Sequence, residues 1–236
     1  MMTGTTIVFD YDMTLSPGES LMDVVSIAID DHRRSPEWRA RFERVRKCWA
    51  QDRMRLPDLV SAFQLMRAVR RRHIEAYVNT RRQLPSDFVS MFQALRERGA
   101  CLHIVSAAYA DWLVPLGAAW GFQPSEVHAR YRFEWFGGAA HPLNRYHLAR
   151  QPSKSQVIRR LRETGEAGRP LIIVGDGAED LEAARQVPAH CFVAADYFTP
   201  RPVRIGNEKE LARGGLDIRR VHSPQELPGL LLSMLR

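Results

Sequence analysis

Residues 170–180 read PLIIVGDGAED, and this stretch restricts the fold more than any other. An apolar run, Leu171 to Val174, passes straight into a glycine-flanked aspartate. A strand with one wet face alternates apolar and polar residues. This run does not alternate, so both of its faces must be covered, as in a parallel sheet flanked by helices. A second run, Ile7-Val8-Phe9, ends in the same way at Asp10 and Asp12. A buried, unpaired carboxylate is costly, so acids at the mouths of buried strands need a cation, a metal or a chemical role.

The rest of the chain fits an α/β class. ACLHIVS (100–106) reads as a strand ending in Ser106, and AHCFVAA (189–195) as another short strand. Helical segments follow Ser106, through Trp112 and Leu116, and start again near Ser153. VHARYRFEWFGGAA (127–140) alternates and then meets Gly137-Gly138, which predicts a strand and a hairpin. Strands alternating with helices predict a Rossmann-like parallel sheet with helices on both faces. Residues 17–99 differ in character and read as an inserted, small α-helical domain. Leu21, Met22, Val25, Ala28 and Ile29 recur at helical spacing, and further helices start near Pro36 and near Pro57. In the third segment Leu59, Phe63, Met66 and Val69 line one side. The last follows Pro85, with Phe88, Phe92 and Leu95 on one face, and stops at Gly99. The expected division is a core of residues 1–16 and 100–236 and a helical cap of residues 17–99. A closing helix is expected at 224–235; RIGNEKELARGGL before it suggests no function.

Composition narrows the function classes. Apolar residues at 45% and charged residues at 26% are globular values. The formal charge of +7 comes nearly all from arginine and favours anionic ligands. The basic residues are scattered without a nucleic-acid motif, so nucleic acid is not the expected partner. Cys48, Cys101 and Cys191 form neither a disulfide framework nor a CxxC pair, which fits a reducing cytoplasm. No apolar run is long enough to span a membrane, and the amino end lacks a signal-peptide pattern. The oligomeric state, monomer or homodimer, stays open. The arginines of RAVRRRH (67–73) fit a solvated helix face better than a substrate grip. The eight histidines show no zinc-ligand spacing.

Ligands of open α/β sheets bind beyond the carboxyl ends of the strands. Asp10, Asp12, Ser106, Asp176 and Asp180 are expected there, with Lys154 at a helix start. The stretches FDYDMTL, LHIVSA, PSK and VGDGAEDLEAA resemble, in this order, the four motifs of the haloacid dehalogenase superfamily. They are most similar to its phosphoserine-phosphatase-like branch, which inserts a helical cap after the first motif. The resemblance runs from about Thr6 to about Ala195; the cap matches by position and helical character only.

That resemblance implies a Mg²⁺-dependent phosphatase acting on a small phosphorylated metabolite. Asp10 would be the nucleophile and form an aspartyl-phosphate. A carboxylate is already ionised at pH 7, but its attack on an anion needs a cation between them. Asp12 would protonate the leaving oxygen and then take a proton from water. An aspartate at this position separates the phosphatases of the superfamily from its dehalogenases. Mg²⁺ would be held by Asp10, the Asp12 carbonyl and Asp176. Gly175 and Gly177 would permit a tight turn there, and Asp180 would be a further acidic residue. Thr14, Ser106, Ala107 and Lys154 would bind the phosphoryl group or order its loop. A phosphotransferase or phosphomutase would use the same Asp10, and a non-catalytic phospho-ligand-binding protein would keep the same fold. The superfamily most often has glycine where this chain has Met13.

Overall fold

Six parallel strands form the centre of the molecule in the computed structural model, which describes residues 4–31, 36–51, 53–141, 151–168, 170–205 and 214–235. The chain starts with β1 (Thr6–Phe9) and continues into α1 (Ser20–Asp31), α2 (Pro36–Ala50), α3 (Leu56–Met66), α4 (Arg71–Arg81) and α5 (Ser86–Glu97). Next come β2 (Cys101–Tyr109), α6 (Ala110–Ala119), β3 (Val127–Tyr131), β4 (Glu134–Phe136) and β5 (Ala139–His141). The chain then forms α7 (Lys154–Glu163), β6 (Leu171–Gly175), α8 (Ala178–Gln186), β7 (Cys191–Ala195), β8 (Asp217–Val221) and α9 (Glu226–Ser233).

The sheet order is β3-β2-β1-β6-β7-β8, and every neighbouring pair is parallel. From β1 the chain moves out to β2 and β3, then returns to lay β6 on the other side of β1. The connections leave the carboxyl ends of β1 and β6 in opposite directions, which opens a crevice between them. Both strands are buried along their whole length, as their unbroken apolar runs require. β4 and β5 pair separately as the expected hairpin, with Gly137 and Gly138 at φ 53° and 76°. Two consecutive positive φ values are those of a tight hairpin turn that glycine adopts without strain.

Other elements depart from the sequence reading. β2 runs three residues past Ser106 to Tyr109, so Ser106 lies inside a strand rather than at its end. Its pairing with β3 shifts register between Ser106 and Tyr109. The insertion has one helix more than expected, because RRHIEAYVNTR forms α4. On the expected side of the third segment, Met66 and Val69 are buried and Phe63 packs against the core, but Leu59 is 40% exposed, so the first turn of α3 stays open to solvent. Of RIGNEKELARGGL, residues 206–213 lie outside the described residues.

α5 packs on the sheet. Phe92 meets Phe9 and Phe122 edge-on, at centroid distances of 5.3 and 5.0 Å. Each such pair adds roughly 0.5–1.5 kcal/mol beyond its buried area. Further tethers join the insertion to the core. The Tyr11 and Tyr77 hydroxyls meet at 2.8 Å, Trp120 Nε1 donates to the Arg82 carbonyl at 2.9 Å, and Ala140 N–H donates to Val69 O at 3.0 Å.

Candidate active site

Asp10 directly follows β1, and its backbone N–H continues the sheet ladder to Val174 O at 2.9 Å. Its side chain therefore enters the crevice between β1 and β6. Asp176 follows β6, and Asp180 sits in the first turn of α8. One carboxylate oxygen from each of these three residues lies within 4.8 Å of the others. Lys154 enters from the opposite side as the first residue of α7. Ser153 caps this helix by accepting from Gln156 N–H, while the Gln156 side chain accepts from Ser153 N–H. This reciprocal cap fixes where the helix starts and so where the lysine stands. Lys154 Nζ donates to Asp180 Oδ1 at 2.6 Å and lies 2.9 Å from Asp10 Oδ1. Lys154 is only 6% exposed, so it is not a solvated helix residue.

Gly175 serves a purpose other than the expected turn. It has no positive φ; instead, a Cβ there would stand 2.3 Å from Asp180 Cγ. The missing side chain leaves room for the Asp180 carboxylate, which also accepts from Gly177 N–H at 3.2 Å.

Three carboxylates thus face one ammonium in a buried pocket. Burial, followed by the charges of Asp10 and Asp180, pushes the Asp176 carboxyl up to about 7. Burial alone would discharge Lys154, but Asp10 and Asp180 hold it charged well above the ordinary lysine range. Such an excess of negative charge calls for another cation. The donors are all carboxylate oxygens, which fit a hard divalent ion such as Mg²⁺.

Asp12 lies beside this cluster but is held differently. Its carboxylate accepts from Ser20 N–H at 2.8 Å and from Ser20 Oγ at 3.1 Å. Burial, then Glu19 and Asp10, raise its carboxyl well above the usual range. Burial also raises Glu19, and the nearby Trp49 of α2 acts in the opposite sense. Met13 follows at φ 56°, the only non-glycine residue at positive φ among the described residues. A side chain in that conformation costs roughly 1–2 kcal/mol.

With the geometry in place, a family comparison decides the identity. A sequence profile described as haloacid dehalogenase-like hydrolase matches residues 7–185. The chain belongs to this family. The four sequence motifs of this haloacid dehalogenase-like hydrolase thus meet at one sheet edge. No curated protein matches the chain by sequence. Among solved structures, it is similar to a phosphoserine phosphohydrolase-like protein from Francisella tularensis subsp. tularensis SCHU S4, at 17% identity and TM-score 0.65, covering 96% of this chain and 99% of that one. A phospho-aspartyl intermediate analogue of phosphoserine phosphatase aligns at 15% identity and TM-score 0.61, covering 94% of each chain. Phosphoserine phosphatase from T. onnurineus aligns at 17% identity and TM-score 0.60, covering 98% of this chain and 96% of that one. At these identities the likeness establishes a shared fold. Among the described residues, no helix is long and apolar enough to cross a membrane.

The hydrolase gathers Asp10, Asp176, Asp180 and Lys154 into one cluster. The Asp12 carboxylate stands outside it, turned towards α1. Ser106 is buried, and its Oγ accepts from Ala108 N–H at 3.3 Å; Ala107 beside it is half-buried. Ser106, Lys154, His128 and Arg130 share a small cavity of about 60 Å³. Among the described residues the buried Thr14 hydroxyl has no hydrogen-bond partner, and it is the Thr14 carbonyl that is engaged, accepting from Tyr197 OH at 2.9 Å. Sequence reading missed Glu19, Ser20 and Trp49. It also missed the Arg130–Glu179 ion pair, which ties β3 to α8 beside Lys154. Glu179 lies within GDGAED and Glu19 just before an apolar-periodic helix, so only the acidic members of these contacts left a sequence signal.

Proposed function

We propose that this protein is a Mg²⁺-dependent phosphomonoesterase that hydrolyses a small phosphorylated metabolite through an aspartyl-phosphate on Asp10. The observation that carries this reading is the cluster of buried Asp10 and Asp180 and half-buried Asp176 around Lys154 at the switch point of the sheet, with Asp12 alongside. Fold neighbours named as phosphoserine phosphatases support phosphomonoester chemistry.

In the first step a carboxylate oxygen of Asp10 attacks phosphorus. The bond from phosphorus to the leaving oxygen breaks, and Asp12 gives that oxygen its proton. In the second step water attacks the phosphoryl group, Asp12 takes a proton from the water, and the bond to Asp10 breaks. Inorganic phosphate leaves and both aspartates return to their starting states. Lys154 and Ser106, with Ala107 beside it, hold the phosphoryl oxygens, and Asp180 keeps Lys154 aimed at them. Asp10, Asp176 and the Asp12 carbonyl are the groups that would hold Mg²⁺, and the ion supplies neutralisation of the charge spread over the transferring group. In this reading the inserted helices α1 to α4 act as a cap, closing over the substrate and excluding water. The three free cysteines suit a cytoplasmic setting.

The test is phosphate release from an aryl phosphate by purified protein. Activity should require Mg²⁺ and vanish in Asp10→Asn, a near-isosteric change that removes the nucleophile. Wild-type turnover in that variant would end the proposal.

A further inference from the structure

We infer that Ser20 is the positioning residue for the acid–base group Asp12, so that this carboxylate is set in place by the inserted helices rather than by the sheet. The inference rests on the phosphatase reading and adds a residue to it.

The two donors to Asp12 come from one residue: Ser20 N–H reaches Oδ1 at 2.8 Å and Ser20 Oγ reaches Oδ2 at 3.1 Å. Among the described residues no other hydrogen bond to this carboxylate is formed. Ser20 is fully buried, at 0% exposure, so water does not compete for its hydroxyl. It is also the first residue of α1, where backbone N–H groups lack partners inside the helix and a negative charge is favoured. Both oxygens are therefore pinned, which fixes the rotation of the carboxylate as well as its location.

The position of Ser20 depends in turn on the insertion. α1 is joined to the end of α4 by the Asp23–Arg81 ion pair at 2.7 Å. Asp10 and Lys154 have no such dependence, because they stand on β1 and on the capped start of α7. Docking of α1 therefore completes the acid–base group, while the nucleophile is in place without it. A proton donor must lie within hydrogen-bond reach of the leaving oxygen, and small misplacements are expensive.

The experiment measures kcat/KM for a series of substituted phenyl phosphates, from 4-nitrophenyl to poor leaving groups, in wild type, Ser20→Ala, Ser20→Thr and Ser20→Pro. Good leaving groups need little proton donation, so a displaced acid harms poor ones most. Ser20→Ala removes one donor; Ser20→Pro removes both and is compatible with the first position of a helix. For the poorest leaving group, the expected losses are about tenfold for Ser20→Ala and about a hundredfold for Ser20→Pro, each falling to about twofold for 4-nitrophenyl phosphate. Ser20→Thr should restore the wild-type dependence. A merely structural role would lower all substrates equally; that result would overturn the inference and leave the phosphatase reading standing. If Ser20→Pro fails to fold, Ser20→Ala against Ser20→Thr decides the same question. A wild-type protein that releases no phosphate from any of the series would remove the reading and the inference together.

Discussion

The two aspartates of FDYDMTL are two residues apart, yet different regions of the molecule hold them. Asp10 belongs to the core: its backbone completes the β1–β6 ladder and its side chain meets Lys154. Asp12 belongs, by its contacts, to the insertion: both of its donors are on Ser20. The contrast teaches that a motif read as one unit can divide its physics. The charge-dense part of the site is built on rigid sheet ends. The part that handles protons is attached to a segment inserted into the chain. Met13, directly after Asp12, takes the left-handed conformation at φ 56° as the chain leaves the motif for the insertion.

The largest test of this contrast is to break an ion pair in each region. Lys154→Ala leaves the buried carboxylates of Asp10 and Asp180 without their ammonium and should cost about 3–5 kcal/mol in denaturant unfolding at neutral pH. Arg81→Ala breaks the Asp23 pair, whose side chains are 29% and 35% exposed, and should cost about 1 kcal/mol or less. Similar losses would mean that the core cluster is far more solvated than its burial indicates.

The next test uses pH. Asp176 rises from an ordinary value near 3.8 to about 7 in the folded protein, so the folded state binds a proton more tightly than the unfolded chain. That contribution is fully present below the unfolded value and is lost as pH climbs through about 7. Metal-free protein should therefore lose melting temperature between pH 5 and pH 8. The increase produced by added Mg²⁺ should be larger at pH 8 than at pH 5, because bound metal needs ionised carboxylates. A Mg²⁺ effect independent of pH would argue against Asp176 as a ligand.

The smallest effect is expected at the junction. Met13→Gly relieves roughly 1–2 kcal/mol of left-handed strain but restores roughly 0.5–1 kcal/mol of unfolded-chain entropy. A net gain of up to about 1.5 kcal/mol in unfolding free energy should follow. A loss would show that the half-buried thioether packs in a way the strain argument omits.

Much of the architecture was legible from local pattern. Leu171–Val174 and Ile7–Phe9 are unbroken apolar runs, which only two-sided burial explains, and they are the central strands. Gly137-Gly138 marked the hairpin turn, and a helix start was expected near Ser153, where α7 begins. Asp10, Asp176 and Lys154 were identifiable because strand ends and capped helix starts are themselves sequence signals. Leu59 and the length of β2 were misread for a shared reason. How far along α3 the inward face stays covered, and how far β2 pairs with β3, depend on neighbours that no local period records.

The sequence by itself determined an α/β chain with acids at its strand ends and a helical insertion after the first, because hydrophobic periodicity and caps act over a few residues. Only the tertiary structure decided that Lys154 bonds Asp180, that Gly175 makes room for that carboxylate, and that Ser20 grips Asp12. Each of these is a contact between side chains, or a space left for one, that exists only once the elements have packed, and packing distances leave no trace in spacing along the chain.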